Sequence, residues 1–104
     1  MTIEFRDNET EKICVDKDYA RKFFVPNVVE RLHFIMLQFA AYAKFEYFRR
    51  HPASAKYNIH QLKGKEKGLT SIRLDFKSRL TIKVFVNETE DKIIVWEVST
   101  HYGD

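Results

Sequence analysis

Residues 79–86 alternate without a break: Leu80, Ile82, Val84 and Val86 are apolar, and Arg79, Thr81, Lys83 and Phe85 fall between them. Successive side chains of a strand point to opposite faces, so this pattern predicts a strand with one buried face and one cationic face. A chain that contains such a strand must supply a layer to cover the apolar side. It also leaves charges on the other side, free to meet something outside the fold.

The covering layer is visible earlier in the sequence. Val28, Val29, Leu32, Ile35, Met36, Phe39, Ala40 and Ala43 recur at spacings of three and four, an amphipathic helical stripe about five turns long. Pro26 suits its start, because a proline at the first helical position loses no hydrogen bond. Asp16 can cap a preceding helix over residues 17–24, with Asp18 in the first turn where the helix dipole favours acids. Residues 2–6 alternate around Ile3 and Phe5 and read as a first strand, and residues 8–16 as a turn or short helix. Pro52 predicts an end to helix in the Arg49–Ser54 stretch.

More strands are expected downstream. Residues 57–63 form one. Residues 69–76 form another, with Ile72, Leu74 and Phe76 inward and Ser71, Arg73 and Asp75 outward. Residues 92–100 form the last, apolar on both faces and so expected inside the sheet. Short turns at 65–68, 77–78 and 87–91 force antiparallel neighbours. The predicted fold class is α+β: an N-terminal strand and two helices packed on one face of a twisted antiparallel sheet, in a single domain over residues 1–104.

Composition narrows the functional classes. With 44% hydrophobic residues the chain is not disordered, and its longest apolar stretch is too short and interrupted to span a membrane. The N-terminus is charged at once, so no signal peptide is expected. One cysteine, Cys14, excludes an internal disulfide and points to a reducing cytoplasm. Cys14 also has no Cys or His partner at metal spacing, so it reads as a small core residue. The pI near 9.0 points to an anionic partner. The charge is concentrated: residues 56–83 hold eight Lys or Arg against two acids, Glu66 and Asp75, a surplus of six where the whole chain carries +3.

Within that segment His60 and Lys63 flank a turn, Arg79 opens a strand, and Arg73 and Lys83 lie nearby. His101 and Tyr102 follow the last strand. Cleaving RNA without a metal takes a base for the ribose 2′-OH, cations for the phosphorane, and an acid for the leaving 5′-oxygen. His60, Lys63 and His101 are each candidates for proton transfer. Arg79 suits the phosphate, because a guanidinium matches two oxygens. Tyr102 suits base stacking or hydrogen-bond donation. A lysine acting as base needs neighbouring cations or partial burial to release its proton near neutral pH. Lys63, Arg73, Arg79 and Lys83 offer such a cluster. The alternative reading of Arg73 and Lys83 is a solvated sheet face.

The motifs His60-Gln61-Leu62-Lys63-Gly64, Gly68-Leu69-Thr70-Ser71-Ile72 and Ser78-Arg79-Leu80-Thr81-Ile82 resemble those of the RelE/ParE superfamily of bacterial toxins. They are most similar to the HigB branch, the plasmid maintenance killer proteins. The likeness extends over nearly the whole chain, through Ile3-Glu4-Phe5, Ala20-Arg21-Lys22 and the helix over residues 28–37. It implies a RelE-like fold and a ribosome-dependent mRNA endonuclease that needs no cofactor or metal. It also implies a helix-turn-helix, HigA-like antitoxin, with operator DNA reached only through that antitoxin, and no membrane partner. By position, His60, Lys63 and Arg79 match the family's active-site His, Lys and Arg. His101 and Tyr102 match its C-terminal catalytic positions, and Arg73, Lys77 and Lys83 become expected RNA contacts.

The chain departs from the family at three places. Thr70 replaces a Trp, Asp75 falls where a second Arg is found, and His101-Tyr102 is followed by Gly103-Asp104 where HigB chains commonly end Tyr-His. Arg73 or Lys77 can stand in for that second Arg. Two other activities belong to the same fold: a ParE-like toxin that inhibits gyrase by binding, and an inactive member that binds an antitoxin.

Overall fold

The structure is a computed structural model and describes residues 1–100. Its elements run β1 (Thr2–Phe5), α1 (Asn8–Val15), α2 (Lys17–Ala20), α3 (Pro26–Ala41), α4 (Phe45–Arg50), β2 (His60–Gln61), β3 (Thr70–Arg73), β4 (Ser78–Phe85) and β5 (Lys92–Thr100). A 3₁₀ turn, Pro52–Tyr57, leads into β2, and a second, Gly64–Glu66, follows it.

The helices start where side chains can satisfy their first amides. Asp7 Oδ1 accepts from the Thr10 amide at the head of α1, and Asp16 Oδ1 from the Tyr19 amide at the head of α2. Pro26 opens α3. The helical layer holds four α-helices where two were expected. Residues 8–16, left open between turn and helix, are helical from Asn8. The long stripe also divides after Ala41: Tyr42, Ala43 and Lys44 break it, and α4 begins at Phe45.

The strands form one sheet in the order β1-β5-β4-β3-β2. Neighbours joined by short turns are antiparallel, as expected. The pairing of β1 with β5 is parallel, which corrects the all-antiparallel expectation. β1 is joined to the rest of the sheet through the helical layer, so no tight turn dictates its direction. β5 lies between β1 and β4, in the interior. Glu97 faces Thr81 while Val95 faces Ile82, so Trp96 is an extra residue in β5, a bulge.

Val28, Leu32, Ile35 and Phe39 of α3 join Ile72, Leu80, Ile82, Ile93 and Val95 of the sheet in one core, all at most 2% exposed. Each such side chain contributes about 1.5–3 kcal/mol of burial energy, so this contact fixes the layer order. α3 packs against the face that carries Ile72, Leu80 and Ile82. No helix among the described residues is long and apolar enough to cross a membrane.

Two expected strands are shorter than their patterns. Tyr57 belongs to the 3₁₀ turn, and only His60 and Gln61 of residues 57–63 pair as strand. β3 stops at Arg73, so Phe76, expected inward, is 83% exposed. Val86 likewise falls beyond β4 and is exposed.

Candidate functional site

The face opposite the helical core collects residues by strand register. His60 pairs with Ser71, Ser71 with Thr81, and Arg73 with Arg79. Partners across an antiparallel pair share a face, as do residues two apart along a strand. His60, Ser71, Arg73 and Arg79 therefore lie on one side of the sheet. They line a shallow concavity of about 200 Å³ together with Asn58, Asp75, Phe76, Lys77 and Ser78. Small-molecule pockets run from about 300 to 1,000 Å³, so this hollow suits a group on a passing chain better than an enclosed ligand.

Arg73 and Arg79 stand directly opposite each other. Like charges at that spacing destabilise a sheet unless an anion offsets them. Here the offset is internal: Glu66 places both carboxylate oxygens on Arg79 Nη2, at 2.9 and 3.2 Å. The Arg79 side chain is 12% exposed and Glu66 44%, so the acid reaches the guanidinium from the solvent side. Glu66 sits between Gly64 and Gly68, both with positive φ (67° and 96°). Glycine reaches that region without strain, which allows the chain to fold back over Arg79 here.

His60 Nδ1 lies 2.8 Å from the Asn58 carbonyl oxygen. A carbonyl only accepts, so the hydrogen bond assigns the proton to Nδ1 and leaves the lone pair of the neutral ring on Nε2. Asn58 holds that carbonyl in a left-handed conformation, φ 45° and ψ 53°, which asparagine tolerates better than most residues.

The β3–β4 turn is closed by Asp75. Its Oδ1 accepts from the Lys77 amide at 2.8 Å and the Ser78 amide at 2.6 Å. The acid at a position where the family resemblance calls for a cation thus has a local structural task. Arg73, directly opposite Arg79, occupies the place from which a second cation can act. Arg31 of α3 donates to the Leu74 carbonyl at 2.8 Å and ties the turn to the helical layer.

Of the residues singled out from sequence, the concavity brings together His60, Arg73, Lys77 and Arg79. Lys63 does not join them. It is exposed and lines a separate hollow with Gln61, Leu62, Gly64, Lys67, Gly68 and Thr70, because β2 ends at Gln61 and Gly64 turns the chain away. Lys83 also lies apart, its ammonium 5.4 Å from the Phe85 ring centroid. His101 and Tyr102 lie outside the described residues. Sequence reasoning missed three participants. Phe76 was assigned to the core. Glu66 and Asn58 carry no periodic signal, and only their flanking left-handed positions, favoured by Gly and Asn, mark them. Cys14 is buried in the core, and burial pushes its thiol up to about 12, which fits a structural residue.

No protein-family model matches the sequence, and no curated protein matches it. Solved structures do match over nearly the full length. A YoeB/ParE toxin from Agrobacterium tumefaciens superposes with a TM-score of 0.63, at 18% identity, over 98% of this chain and 100% of its own. YafQ in the DinJ–YafQ complex from E. coli gives 0.60 at 19% identity over 97% of each chain. A conserved hypothetical protein from Helicobacter pylori gives 0.51 at 19% identity over 97% of this chain and 94% of its own. The architecture is that of the RelE/ParE toxin fold.

Proposed function

We propose that this chain is the toxin of a type II toxin–antitoxin pair and an endonuclease that cuts mRNA on the ribosome without a metal ion. The observation that carries the reading is the meeting of His60, Arg73, Lys77 and Arg79 at one concavity on the face of the sheet opposite the helical core. The fold supports it, since the matching structures include one named as a YoeB/ParE toxin and the DinJ–YafQ complex. On the same ground the partner is an antitoxin, and the motif resemblance makes it a HigA-like helix-turn-helix protein of the HigB branch.

In the proposed reaction, His60 Nε2 takes the proton of a ribose 2′-OH. The 2′-oxygen attacks the adjacent phosphorus, and the two negative charges of the phosphorane fall to Arg79 and Arg73. Lys77 positions the strand through its phosphates. The 5′-oxygen leaves with a proton, for which His101 and Tyr102 are the remaining candidates, and a 2′,3′-cyclic phosphate stays behind. Glu66 must yield Arg79 to the phosphate as the strand enters.

A second reading is binding without cleavage, as in a gyrase-directed or inactive member. It is favoured by the distance of Lys63 from the concavity and by Glu66 on Arg79. Expression in a bacterial host, with mapping of mRNA ends on translating ribosomes, separates the two. New ends and growth arrest that vanish together in His60→Ala and Arg79→Ala support the nuclease. Arrest with gyrase-linked DNA breaks and intact mRNA overturns it.

A further inference from the structure

Phe76 is 83% exposed at the rim of the cationic concavity. Neither the turn nor the core explains it. Turn positions favour Gly, Pro, Asn, Asp and Ser, and Asp75 already makes the hydrogen bonds that close this one. An exposed phenyl ring also forgoes the burial energy that justifies its place elsewhere in the chain. The turn that carries the ring is nevertheless firmly held. Leu74 and Asp75 amides both donate to the Ser78 carbonyl, at 2.9 and 3.2 Å, and Arg31 anchors the Leu74 carbonyl to α3. The Lys77 ammonium lies 5.3 Å from the ring centroid. An exposed aromatic that shares a concavity with Arg73, Arg79 and His60 has what unpaired nucleobases need: a π-face to stack on, with cations in the same hollow for the phosphate.

We propose that Phe76 is a nucleobase platform, on which one unpaired base of a single-stranded RNA stacks while its phosphate lies between Arg73 and Arg79. This deepens the RNA reading of the site and rests on it. The same ring on a surface without cations would fit an apolar protein partner better. The Arg73–Arg79 pair and Lys77 favour the polyanion.

The test is equilibrium binding at low salt of two short RNAs, one single-stranded and one of equal length with abasic sugars. Wild type, Phe76→Ala and Phe76→Trp are compared. Phe76→Ala is expected to bind the single strand about 10- to 100-fold more weakly. Its affinity for the abasic strand and the salt dependence of binding stay as in wild type, because no phosphate contact is lost. Phe76→Trp is expected to restore binding, with its indole emission quenched by the base-bearing strand only. Equal affinities of wild type and Phe76→Ala for the single strand overturn the platform, as does an equal loss on both strands. A change confined to self-association also overturns it and assigns the ring to protein contact. Binding of neither RNA by wild type also overturns the platform, while the nuclease reading stands or falls separately with the mRNA ends mapped on translating ribosomes. Melting temperatures of the three proteins are expected to agree, since the ring packs against nothing buried.

Discussion

Two of the ion pairs among the described residues, Asp91 with Lys44 and Glu66 with Arg79, are built for opposite purposes. Asp91, 2% exposed, accepts from the Lys44 ammonium at 2.7 Å, the Phe45 amide at 2.9 Å and the Asn87 amide at 3.0 Å. Burial alone would raise its carboxyl. Lys44 and the two amides outweigh that and hold it below the usual carboxylate range. Glu66 instead spends both oxygens on one nitrogen of Arg79 and stays half open to water. The first carboxylate is enclosed by three donors from two segments, residues 44–45 and Asn87. The second is held at one nitrogen, on a loop between two glycines, and an incoming phosphodiester offers Arg79 the same pair of oxygens and the same single negative charge. Saturation separates a structural pair from an exchangeable one.

The contrast is sharpest under substitution. Asp91→Ala strands the Lys44 ammonium and two amides, and is expected to cost about 3 kcal/mol, a fall in Tm on the order of 15 °C. The sign of its pH dependence is fixed. A carboxyl held low in the folded state stabilises above its ordinary pKa and loses that contribution as pH falls through the folded value. The Tm gap between wild type and Asp91→Ala should therefore close below about pH 4. Arg79→Ala is expected to lower RNA cleavage about 100-fold, measured with purified protein on programmed ribosomes, while Tm moves by only a few degrees. Glu66→Gln removes the competing carboxylate. It is expected to tighten RNA binding about tenfold and to steepen its salt dependence by about one ion. If affinity falls instead, Glu66 positions Arg79 and does not compete for it. The smallest effect belongs to Glu46, which pairs with Arg49 and Arg50 in water. Glu46→Gln should change stability by less than about 0.5 kcal/mol, read by urea titration.

Local chemistry explains which parts of the fold were readable beforehand. Pro26, the stripe through Phe39, the Asp16 cap and the alternation of β4 all act within a few residues, and all appear where expected. The break after Ala41 was invisible because its causes are distant. The Met1 amino group donates to the Phe39 and Tyr42 carbonyls, and the Asp91 amide donates to the Ala43 carbonyl. Phe76 and Val86 continued a period-2 pattern past the point where pairing stops. At Phe76 the stop comes from Asp75, whose side chain takes the amides of the next turn. Of the site, the cations were legible by charge and spacing. Their convergence was not, because it depends on register between strands: one residue of slip would send Arg73 to the covered face. Lys63, three residues from His60, was lost to a two-residue strand and a left-handed glycine.

The parallel pairing of β1 sets the order in which this molecule can assemble. During synthesis β1 emerges first, yet its sole partner strand, β5, is the last of the described elements to appear. Until then β4, which carries Arg79, is an edge strand with its ladder to β5 unmade. The helices can form on their own timescale. The sheet that gathers the cations closes only when the two ends of the described chain meet, a long-range step that slows folding and makes it cooperative. A growing chain thus carries every residue of the concavity, from Asn58 to Arg79, before β5 has completed the sheet behind them.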